Sequence, residues 1–94
     1  MNGLQKAIIE VIRSMAGLTG RSVDVSSPKY SEEFRCYYFA VGLPWAGIIG
    51  AVFPSSANFW DEEGLDIRFE RIDFESDAEM CDAVTASLAK ALVH

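Results

Sequence analysis

The run FRCYYFAVGL (34–43), followed by PWAG (44–47) and IIGAVF (48–53), constrains the fold of this chain more than any other stretch. Aromatic and β-branched residues dominate both runs, and the quartet between them reads as a hairpin turn. Alternation sets Phe34, Cys36, Tyr38 and Ala40 on one side of the first strand, and Arg35, Tyr37, Phe39 and Val41 on the other. The returning strand sets Ile48, Gly50 and Val52 against Ile49, Ala51 and Phe53. Both faces are therefore largely apolar, whereas an antiparallel sheet covered on one side should be polar on the other. Either one helix covers each face, or an open face is buried against another molecule. Gly50 marks a bulge or the close approach of another element.

The flanking segments supply the covering layer. Leu4, Ala7, Ile8, Val11, Ile12, Met15 and Leu18 recur at helical spacing over residues 3–18, with Gln5, Lys6, Glu10, Arg13 and Ser14 on the other side. Asn2 followed by Gln5 reads as a capping box, and Gly17 and Gly20 as the stop. SDAE (76–79) opens a second helix in the same way, with Ser76 as cap. Met80, Cys81, Val84, Leu88, Ala91 and Leu92 form its apolar stripe. Two further strands are expected, a short one around Val23 and Val25 and a second in LDIRFERIDF (65–74), whose alternation slips near Arg71. The stretch 54–64 carries no period and reads as a loop. The expected architecture is α+β in the order α-β-β-β-β-α. It is a single domain over residues 1–94, a four-stranded antiparallel meander with both terminal helices packed on it as a two-layer sandwich.

Charge narrows the partners. The net charge is −6, and residues 61–94 hold ten acids against three bases while residues 1–60 hold four against five. That balance argues against direct binding of nucleic acid or anionic membrane and favours a protein partner with a basic surface. No signal peptide or membrane-spanning run is apparent, so a cytoplasmic protein is expected. In a domain this small, a second copy would add buried surface, which makes a homodimer through the open sheet face a natural expectation.

Sites for chemistry are sparse. His94 is the sole histidine, stands last, and reads equally well as the remnant of a purification tag. Cys36 and Cys81 lack zinc-ligand spacing and sit among apolar neighbours. The seven glycines form no phosphate-binding motif, and the consecutive acids 61–63 lack the spaced oxygen ligands of a calcium loop. No catalytic residue and no cofactor is expected.

The aromatics carry more. Trp45 stands at the hairpin tip, Tyr30 in a loop, and Phe59 and Trp60 directly before Asp61, Glu62 and Glu63. Rim aromatics are typical binding anchors, and acids beside them select a basic partner and speed encounter. The expected partner-binding set is Trp45, Phe59, Trp60, Asp61, Glu62 and Glu63, with Tyr37 and Phe39 for the open sheet face. In length, acidity and lack of catalytic residues the chain is similar in type to small inhibitors encoded by phages and mobile elements, including anti-CRISPR and anti-restriction proteins. No specific motif carries that likeness. Two other readings stand beside the binding module. One is a small-molecule-binding or enzymatic dimer with Glu70 or Asp66 in a pocket between sheet and helices, and the other is a subunit of an obligate homo-oligomer.

Overall fold

A computed structural model describes residues 1–18, 24–43 and 46–93. Helix α1 (Gly3–Leu18) leads into β1 (Asp24–Val25), β2 (Lys29–Ser31), β3 (Cys36–Leu43), β4 (Ala46–Val52), β5 (Ser56–Trp60) and β6 (Asp66–Glu70). A 3-10 turn (Arg71–Asp73) and helix α2 (Asp77–Val93) complete the chain. All strand pairs are antiparallel, and β3, β4, β5 and β6 lie side by side in chain order. The fold is the expected α+β meander with two helices on an open sheet.

The strand count differs from expectation. Strands β1 and β2 both pair with the same edge of β3 and form one interrupted edge strand. From Val25 to Lys29 that edge advances four residues while its partner goes from Val41 to Tyr38, three residues, so one extra residue is bulged out. The Ser26 N–H still donates to the Ala40 carbonyl at 2.9 Å, whereas the Ala40 N–H donates to the Ser26 hydroxyl at 2.8 Å. Pro28, which has no N–H to give a ladder, occupies this break. With that edge counted once the sheet has five strands, and the addition is β5, in the stretch read as a loop. There Ala57 and Phe59 point to one side and Ser56, Asn58 and Trp60 to the other.

Both helices cover the same face. The capping box expected at α1 forms, and at α2 Ser76 caps as expected while Glu79 reaches back to the N–H one residue before that cap. The Gln5 N–H donates to Asn2 Oδ1 at 2.9 Å, and the Asn2 N–H donates to Gln5 Oε1 at 3.0 Å. Gln5 is buried, not on the solvent side, because its amide also donates to the Val52 carbonyl at 3.2 Å and ties α1 to β4. At α2 the Glu79 N–H donates to Ser76 Oγ at 3.1 Å, while the Glu79 carboxylate accepts from the Glu75 N–H at 3.0 Å. Arg71 bridges to Asp77 at 2.6 Å and donates to the Phe74 carbonyl, closing the turn where the strand period slips.

The core lies between helices and sheet. Ile8, Ile9 and Ile12 of α1 and Met80, Val84 and Leu88 of α2 meet Val41, Ile48, Val52, Phe59 and Phe69. Phe39, Phe59, Phe69 and Phe74 form a continuous line of rings with centroids 6.2–6.4 Å apart. Gly50 stands between the first two rings in the ladder, opposite Phe39 on one side and Phe59 on the other. A Cβ there would lie 2.9 Å from the Phe59 ring and 3.0 Å from that of Phe39. The glycine marks a close approach of side chains, which is one of the two roles its sequence position indicates.

Candidate functional site

The second face of the sheet has no layer on it among the described residues. Its side chains follow from the ladder. Tyr38 stands opposite Ala51, then Asn58, then Arg68; Ala40 stands opposite Ile49, then Trp60, then Asp66. Towards β6 this face is polar, with Asp66, Arg68 and Glu70 all exposed. Towards β3 and β4 it is apolar. Tyr38 is 42% exposed, Ile49 44%, and Phe34, in the turn before β3, 65%. These values set the face apart from the helix side, where Ile48, the neighbour of Ile49, is 5% exposed.

The apolar part is a groove and not a flat surface. Small or sunken side chains, Cys36 and Ala51, form its buried floor. Phe34, Tyr38, Phe53 and Trp60 rise around them and enclose about 500 Å³. Asn58 lines the same groove, and its side-chain oxygen is shielded from solvent with no hydrogen-bond partner. A buried acceptor without a donor is uncommon in a folded protein. A second depression of about 590 Å³ shares Ile49 and Trp60 with the first and runs on to Asp61, Glu62 and Glu63. The hydrophobic groove therefore opens at one end onto the acidic turn.

The structure redistributes the expected partner-binding residues. Phe59 is fully buried in the helix-side core, because β5 alternates where a loop was expected, and it offers nothing to a partner. Phe39 is likewise core, at 3% exposure, and Tyr37 packs half-buried beside it with the Tyr30 ring 4.9 Å away. The open face is thus the other parity of β3, that of Tyr38 and Ala40. Trp60 lines both depressions. Trp45 lies outside the described residues, as do Val23 and His94.

The acids divide by role. Asp61 Oδ1 accepts from the Glu63 N–H at 2.9 Å and the Leu65 N–H at 2.8 Å, and so builds the turn. Gly64 sits in the same turn at φ +106°, a conformation that side chains rarely adopt. Glu62 and Glu63 are exposed. Around this face, Asp61, Glu62, Glu63, Asp66 and Glu70 outnumber Lys29 and Arg68, five acids to two bases.

Neither cysteine has the surroundings of a nucleophile. Burial pushes the Cys36 thiol above its ordinary value, and burial pushes up that of Cys81 with help from the nearby Asp77 and Asp82 carboxylates. Both are free thiols that stay protonated at neutral pH. Asp66 and Glu70 face solvent, away from the helix–sheet interior where a substrate pocket was considered. Among the described residues no helix is long and apolar enough to cross a membrane, and no three His, Cys, Asp or Glu side chains are grouped to hold a metal ion. Comparison with protein-family models, curated proteins and solved structures returns no significant match.

Proposed function

We propose that this chain is a non-enzymatic protein-binding module that docks its uncovered sheet face on a basic partner. The observation that carries this reading is the groove of Phe34, Tyr38, Ile49 and Trp60 on a face that no layer covers among the described residues. Contiguous apolar surface with aromatic walls and a polar rim is the usual anatomy of a protein interface. The walls act as anchors, and the excess of acids around them speeds encounter with a cation-bearing surface.

The test is site-specific photo-crosslinking in lysate of the native host. A benzophenone side chain replaces Tyr38 or Ile49 in the groove, or Ile72 as a control, which is 91% exposed but lies in the 3-10 turn beyond β6. A discrete protein adduct at 38 and 49 and none at 72 is the expected result. Equal labelling at all three positions, or no adduct at any of them, would remove the groove as a docking face.

A further inference from the structure

Resting on that docking reading, we infer that the occupant of the groove is an amphipathic helix of the partner, apolar on one side and bearing Lys or Arg. The first argument is hydrogen bonding. The groove lies over β3, β4 and β5, each already paired along both edges, so their backbone groups are committed to the ladder. A strand laid on this face would leave its own N–H and C=O groups without partners in an apolar contact, which is costly. A helix satisfies its backbone internally and brings only side chains to the surface.

Dimensions agree. The two joined depressions follow β4 from Phe53 to Gly47, six strand steps or roughly 20 Å. That distance corresponds to a helix of about 13 residues, between three and four turns. Such a helix would add a third layer and make the sheet covered on both sides, as the apolar character of β3 and β4 on both faces requires.

Charge decides between this occupant and a second copy of the chain. A symmetric face-to-face dimer would bring one rim of five acids and two bases against another of the same sign. A basic helix meets Glu62 and Glu63 where the groove opens, in a place where neither carboxylate has a hydrogen-bond role in the turn. A side-chain donor on the helix also answers the unpartnered oxygen of Asn58 in the floor.

The experiment uses the full chain and three synthetic peptides of about 14 residues, long enough to span the groove. The first places Leu at helical spacing among Lys. The second has the same composition with Leu and Lys alternating, and the third replaces Lys by Glu in the helical pattern. Binding is read by anisotropy of labelled peptide and by amide shifts of Ile49, Ala51 and Trp60. The helical Leu/Lys peptide is expected to bind about tenfold or more tighter than either of the others. Ile49→Asp should cost about tenfold, with Tyr38→Ser as a second groove variant should the first unfold. Glu62→Gln with Glu63→Gln should cost about threefold and flatten the salt dependence.

Equal binding of the helical and alternating peptides overturns the inference. So does sedimentation showing a dimer that Ile49→Asp converts to monomer, which assigns the face to a second copy. If no peptide binds while the crosslinker at Tyr38 still captures a protein, the helix is wrong and the docking reading survives. If both fail, both fall.

Discussion

The two faces of one sheet are built from the same strands and nearly the same apolar alphabet, yet they have opposite fates. Ile48 and Ile49 are chemically identical neighbours, one sealed beneath two helices and the other 44% exposed. On the covered face large rings are locked by each other, with Gly50 making the room that Phe39 and Phe59 need. On the open face the large side chains surround a hollow. Apolar composition alone does not make a core; enclosure from both sides does, and the second enclosure here is left to another molecule under the function proposed above.

That contrast can be broken experimentally, beginning where the effect is largest. Phe59→Ala should remove about 3–5 kcal/mol of stability, since the ring is fully buried and has aromatic neighbours on both sides. Urea denaturation of the purified variant measures it, and a near-native midpoint would mean that β5 is not part of the core. The matched pair Ile48→Ala and Ile49→Ala sharpens the comparison within one strand. The first should cost about 2–4 kcal/mol, the second within about 0.5 kcal/mol of nothing. Similar losses for both would show that the exposed face is covered in the free protein. Gly50→Ala should cost about 1–3 kcal/mol by forcing the two rings apart, and thermal melting should register it as a drop of several degrees.

The smallest effect concerns pH. The two thiols sit on opposite faces, Cys36 in the groove floor and Cys81 in the helix-side core, and both are raised by burial. In the unfolded chain each loses its proton near pH 8.5, while in the folded chain it keeps it to higher pH. Over that window the folded state binds more protons, so stability is intact below the unfolded value and falls as pH rises through the folded one. Denaturation midpoints between pH 8 and 10 should decline, and Cys81→Ala should flatten the decline. A profile as steep in Cys81→Ala as in the wild type would assign the alkaline loss to other groups.

The helices were legible because each carries its own start signal and a stripe at one period. Asn2 with Gln5 and Ser76 with Glu79 name their boundaries locally, and no distant contact is needed to read them. Strand β5 was not legible for the complementary reason. Its outward residues Ser56 and Asn58 are polar, its inward Ala57 is small, and Pro54 precedes it, so no β-branched alternation remains to detect. Its identity comes from pairing with β4 and β6, which are non-local. The parity of the open face was hidden similarly. In β3 both sides are apolar and the sequence is silent, but β6 declares its outer side through Asp66, Arg68 and Glu70. Only the ladder Arg68, Asn58, Ala51, Tyr38 carries that declaration across the sheet to β3. The acidic turn was visible as charge, but the division of labour between Asp61 and its two neighbours depends on backbone geometry.

The interrupted edge formed by β1 and β2 bears on stoichiometry. At one side of the sheet the ladder is broken by a bulge and Pro28, and at the other β6 presents charged side chains on its outer strand. Both are devices that discourage strand-by-strand addition of further copies. Growth along the hydrogen-bonding direction, which is open-ended, is thereby disfavoured, whereas the docking proposed above would be self-limiting, since one helix would span the groove. Under that docking, binding should therefore saturate at one partner per chain, and a titration followed to excess partner should reach a one-to-one plateau.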